Sequence, residues 1–153
     1  MYKAQVRPKF ELCVEAWRPY LKRNIDLLEK VQRRATRLIF ADEIMPYEER
    51  LKCLHLTTSE TRRIRSDLLE VFKIIKNLED TNRDLYFKLS GTGLRGHSLK
   101  VFKLQARLDI RKYSFSNRVV DNRNALPQTL IDCNTLNNFK SKLDLYVHYR
   151  GFR

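Results

Sequence analysis

The chain of 153 residues has room for one domain or two small ones, and its 42% hydrophobic content is enough to bury a core. Lys and Arg number 31 against 18 Asp and Glu, a net charge of +13 that points to a polyanionic partner, nucleic acid ahead of a membrane surface. No apolar run approaches the roughly 18 residues of a membrane span and the opening MYKAQVRPKF has no apolar leader segment, so an intracellular protein with no membrane partner is expected.

In chain order, the first 80 residues follow helical periodicity. After Asn24, an expected N-cap, Leu27, Leu28, Val31, Ala35, Leu38 and Ile39 recur on one apolar face. At about 100° per residue, Lys30, Arg33, Arg34 and Arg37 fall together on a separate basic stripe. The stripe covers about 10 Å of helix, enough for two or so successive phosphates, or it is an ordinary solvated face. Asp26 and Glu29 are close enough in sequence to neutralise part of its field.

The stretch Phe40-Ala41-Asp42-Glu43 resembles a polymerase metal-binding motif. Two-metal phosphoryl transfer needs carboxylates from at least two places in the fold, however, and helix alone is expected upstream. Acidic residues just before Pro46 instead suit the positive end of the next helix, so a helix-to-helix turn is expected here.

Pro46, at a first helical position, opens a short helix carrying Tyr47, Leu51 and Leu54, and Thr57-Thr58-Ser59-Glu60 has the form of a capping box. In the long helix that follows, Ile64, Leu68, Val71, Phe72, Ile75 and Leu78 form the seam, while Arg62, Arg63, Arg65, Lys73 and Lys76 lie off it.

Gly91, Gly93 and Gly96 mark the clearest break, giving an expected helical module over 1–90 and a basic extension over 91–153. Beyond the break, Leu104, Ala106, Leu108 and Ile110 alternate with polar residues as in a short strand. Tyr113, Phe115, Val119 and Val120 then predict a helix ending near Leu126-Pro127, and Leu136, Phe139, Leu143 and Tyr146 predict a last amphipathic one. The expected fold is thus mainly α: a small helical bundle, a Gly-rich break, a short β element, and two or three further helices.

The extension is basic, with Arg95, Lys100, Lys103, Arg107, Arg111, Lys112, Arg118 and Arg123 against Asp109 and Asp121 between residues 95 and 123. Tyr113 and Phe115 lie among these cations, where bases could stack on them, although their helical spacing suits a core role better. His55, His97 and His148 are isolated, and Cys53 with His55 lacks the second pair that zinc requires, so neither a metal nor a catalytic nucleophile is expected. Cys13, Cys53 and Cys133 are far apart and are expected as reduced thiols. Trp17 is expected to pack where the first helix turns at Pro19, in a core role rather than a stacking one.

Several segments together resemble a known family: WRPYLKRNIDLLEKVQRRATRL from Trp17 to Leu38, YEERLKCLHLTTSETRR, RGHSLKVFK, FSNRVV with NALP, and LNNFKSKLD. The chain resembles the C-terminal part of non-LTR retrotransposon (LINE-type, jockey-like) reverse transcriptases. The resemblance implies a thumb that grips template and primer backbone, followed by a C-terminal extension, without the palm and its catalytic carboxylates. It therefore implies no catalysis, no cofactor, and partners that are RNA, DNA or hybrid backbones, with the palm of a related polymerase a further candidate. The residues expected to contact nucleic acid are Lys30, Arg33, Arg34, Arg37, Arg95, Lys100, Lys103, Arg107, Arg111, Lys112 and Arg118. The other reading is an inert or protein-interacting helical module. Two positions depart from the family: Arg123 stands where relatives carry Trp before Asn-x-Leu-Pro, and Leu12 stands where they often have Tyr. If the first site is buried, Arg123→Trp is expected to be stabilising.

Overall fold

The computed structural model describes residues 2–41, 44–90 and 99–150 and is mainly α-helical. The chain divides into two compact units, Met1–Arg63 and Ile64–Arg153. The division falls inside one helix, whereas the glycine-rich stretch expected to separate 1–90 from 91–153 lies outside the described residues.

In the first unit a π-helical turn, Tyr2–Val6, leads into α1 (Arg7–Glu11), followed by α2 (Lys22–Ile39) and α3 (Tyr47–Cys53). Helix α2 starts earlier than expected: Leu21 is its N-cap, and Asn24 lies inside the first turn. The expected apolar face is only partly used. Leu27, Val31, Leu38 and Ile39 remain exposed, while α2 buries Glu29, Gln32 and Thr36 instead. The buried face is turned by roughly 110° from the apolar one, because Glu29 and Gln32 find polar partners elsewhere in the unit and the Thr36 hydroxyl donates to the Arg33 carbonyl of its own helix at 3.1 Å. Pro46 is the N-cap of α3, and its first turn carries Glu48 and Glu49, favourable at the positive end of the helix dipole. Helix α3 closes through His55 at φ 50°, with the Leu56 amide donating to the Leu51 carbonyl at 2.8 Å.

Helix α4 (Ser59–Ile75) begins at a cap one residue later than expected: the Thr61 amide donates to Thr58 Oγ1 at 3.2 Å. Its predicted seam holds from Ile64 through Ile75, but Leu78 is half exposed beyond the helix end. Arg62 and Arg63, expected off the seam, are buried in the first unit.

The second unit is built on the rest of α4, with α5 (Arg83–Tyr86), α6 (Asp109–Lys112), α7 (Phe115–Arg118), α8 (Val120–Asn124), α9 (Gln128–Ile131) and α10 (Leu136–Arg150). Ile64, Leu68 and Phe72 pack with Leu126, Leu130, Ile131, Cys133, Phe139 and Leu143, and Phe72 stacks on Phe139 with ring centroids 4.3 Å apart. A second cluster joins Val71, Ile74 and Ile75 to Phe87, Val101, Val119 and Val120. The last helix is as predicted, capped by Thr135, whose Oγ1 accepts from the Asn138 amide at 3.3 Å.

The expected strand over Leu104–Ile110 does not form. Leu104 and Leu108 are exposed, and the residues from Asp109 belong to α6. Alternation makes a strand only where a partner backbone is available, and β pairing among the described residues is confined to one antiparallel bridge, Leu89 with Val101. The Asn124 carboxamide completes the Val101 backbone, accepting from its amide at 2.9 Å and donating to its carbonyl at 2.8 Å. This gives the Asn-Ala-Leu-Pro segment a structural task.

Arg123 is 4% exposed, and burial lowers its guanidinium pKa from its ordinary range to about 10. Burial therefore disfavours its charged form. The site is buried, the condition under which Arg123→Trp is expected to raise the urea midpoint, and an unchanged or lower midpoint would show that the guanidinium and its contacts contribute net stability.

Candidate nucleic-acid interface

The cations of α2 share one solvent-facing side. Lys30, Arg33, Arg34 and Arg37 are all exposed. Arg23, seven residues before Lys30, falls on the same side at 100° per residue, and it too is exposed. From Arg23 to Arg37 the stripe runs about 21 Å at 1.5 Å per residue. Arg23, Lys30 and Arg33, with Asp26 and Leu27, line an open depression of about 300 Å³. Asp26 is the anion in that depression. Glu29, expected to weaken the field as well, is buried on a different face of α2.

A buried polar cluster holds this face in place. Glu29 accepts from the Tyr47 hydroxyl, from the Ser59 hydroxyl, and from the Ser59 amide at 2.9 Å, which places a carboxylate at the positive end of α4. Gln32 donates to Tyr47 Oη and to the Thr57 carbonyl, both at 3.0 Å, and its carbonyl accepts from Tyr2 Oη at 2.9 Å and Arg62 Nη2 at 2.7 Å. Arg62 also donates to Glu11 and to the Thr57 carbonyl. Burial, followed by the bond to Glu29, raises the Tyr47 pKa well above the usual phenol range, and burial likewise raises that of Tyr2. On its outer side Tyr47 carries the Arg33 guanidinium 4.8 Å above its ring, so the cluster braces one of the predicted cations.

The predicted cations of the second unit are differently employed. Lys103 is paired with Asp121, and both are exposed. Arg107 and Arg111 are exposed, Lys100 is half-buried, and Lys112 places its Nζ 5.3 Å from the Tyr113 ring centroid. Arg118 is committed to Asp67 through a fork of bonds at 2.9 and 3.2 Å, with the two side chains 10% and 2% exposed. Phe115 packs against the second cluster, 5.9 Å from Phe87, the core role that its spacing suited. Arg95, His97, Asp42 and Glu43 lie outside the described residues.

Among the described residues no three His, Cys, Asp or Glu side chains are grouped to hold a metal, and no helix is long and apolar enough to cross a membrane. Arg23 was legible in the sequence once the helix start moved to Lys22. The Tyr47 brace was not, because nothing local links Tyr47 to Glu29. No family model, curated protein or solved structure matches the chain.

Proposed function

We propose that the chain is a non-catalytic, thumb-like fragment of a retrotransposon RNA-directed DNA polymerase that binds nucleic-acid backbone without sequence preference. The observation that carries this reading is the alignment of Arg23, Lys30, Arg33, Arg34 and Arg37 on one exposed side of α2, with Asp26 the anion in the depression that Arg23, Lys30 and Arg33 line. Phosphate contacts carry no base information, so similar affinity for unrelated sequences is expected.

Contact with about five phosphates gives a slope of log K against log salt near −4 to −5. Changing Arg33, Arg34 and Arg37 together to Gln preserves helix propensity and should flatten that slope by up to about three units. A folded triple variant with an unchanged slope would reduce the stripe to a solvated face. The protein-interaction reading would then lead, supported by the exposure of Leu27, Leu38 and Ile39 at 50%, 73% and 59%. Primer extension should show no nucleotide incorporation, and incorporation that Asp42→Ala abolishes would overturn the non-catalytic part of the proposal.

A further inference from the structure

Trp17 does not pack as a core residue. It is 41% exposed, and its neighbours Tyr20 and Leu21 are 47% and 52% exposed. The ring is nevertheless fixed. Its indole N–H donates to the Leu12 carbonyl at 2.7 Å, and its amide donates to the Cys13 carbonyl at 3.2 Å in a turn where Cys13 sits at φ 50°. One face is covered by the Arg63 guanidinium, 4.5 Å from the ring centroid. Arg63 is 3% exposed and donates to the Phe10 carbonyl at 2.8 Å, so it is an immobile support.

A rigid indole with its donor satisfied, one face backed by a cation and much of its surface in water has the form of a stacking surface. The backing cation argues against a second cation on the open face, which excludes ammonium and guanidinium ligands by repulsion. The surrounding charge selects an aromatic ligand that carries anions. Arg18 lines a small hollow with Arg63, Ile25, Leu28 and the anion Glu60, and the exposed Lys22 and Arg23 follow within six residues of Trp17 at the start of α2. We propose that Trp17, supported by Arg63, stacks an unpaired nucleobase of a strand whose phosphates meet the cations at the start of α2. This rests on the nucleic-acid-binding reading and adds to it a preference for single-stranded segments.

Trp17 is the sole tryptophan of the chain, so its emission reports this site directly. The test titrates the intact protein with oligothymidylate and, separately, with a long blunt duplex in which ends are rare, each over a range of salt. The expected result is emission quenched by oligothymidylate and little changed by the duplex. Trp17→Leu should weaken single-strand binding about ten-fold, within the range for loss of one base–aromatic stack, and leave duplex affinity and salt slope unchanged. Trp17→Tyr should restore most of the difference. Salt-dependent binding with unaltered emission, or a Trp17→Leu loss equal for both ligands, would overturn the stacking site and leave backbone binding standing. Absence of salt-dependent binding to either ligand would overturn both. If Trp17→Leu fails to fold, acrylamide quenching of the native protein decides: saturating oligothymidylate must shield Trp17, and no shielding ends the proposal.

Discussion

Asp67→Ala is expected to lower the stability of the second unit by about 3 to 5 kcal/mol, the usual consequence of leaving one member of a buried ion pair without its partner. Asp67 on α4 is 1% exposed and receives both bonds of the Arg118 fork from α7. Removing the carboxylate takes both bonds of the fork from a guanidinium that also donates to the Tyr113 carbonyl at 3.4 Å and lies 5.7 Å from the Phe115 ring centroid. Replacing both members, Asp67→Leu with Arg118→Met, should recover most of the loss, because two apolar side chains have no charge to desolvate. Urea unfolding followed by far-ultraviolet circular dichroism measures this, and a double variant as unstable as the single one would show that the fork contributes net stability. The pair also separates structure from binding. Arg118 was among the expected phosphate contacts, and Arg118→Met alone would weaken binding simply by unfolding the unit. In the folded double variant, an unchanged salt slope would assign Arg118 to the core.

What the sequence disclosed follows from where each residue finds its partners. The seam of α4 and the Leu136, Phe139 and Leu143 face of α10 were legible because apolar residues recurring every three or four positions need only a core to turn toward. The α4 cap was displaced by one residue because Thr57, Thr58 and Ser59 all carry a hydroxyl that can cap. The exposed cations of α2 were legible for a related reason: long charged side chains stay in solvent unless a buried partner draws them in. Burial of Glu29, Arg62 and Arg118 was not legible, because their partners lie 30, 51 and 51 residues away. Periodicity marks an apolar face, but it cannot show that a polar face will be satisfied from elsewhere. The same limit hid the failure of the 104–110 strand, whose alternation calls for a neighbouring backbone that the described residues do not supply, and the exposure of Trp17, whose ring rests on a cation 46 residues later in the chain.

Glu29→Ala sets two physical effects against each other. Charge counting says that removing an anion from a chain of net charge +13 tightens its grip on a polyanion. The buried cluster says the reverse. Without the carboxylate, the Ser59 amide, the Ser59 hydroxyl and the Tyr47 hydroxyl lose their shared acceptor, and the start of α4 loses its stabilising anion. Unsatisfied buried donors cost about 1 to 3 kcal/mol apiece, partly relieved by water, so a net loss of about 3 kcal/mol is expected. That is a large share of ordinary domain stability, and the first unit has little apolar core to offset it, since its buried hydrophobic side chains among the described residues are Val14 and Leu51. The structural effect should therefore win: the urea midpoint reported by Trp17 emission falls, and duplex affinity falls with it as Tyr47 ceases to position Arg33. Alkaline titration probes the same cluster. Tyr47 is held neutral in the fold above its ordinary value of 10.0, so its contribution is intact below that pH, where the unfolded chain is neutral too, and is lost as pH rises from there through the folded value. Tyr47→Phe should blunt this alkaline loss. A Glu29→Ala protein with an unchanged midpoint and a higher affinity would mean that the carboxylate is solvated and acts on the polyanion through its charge alone.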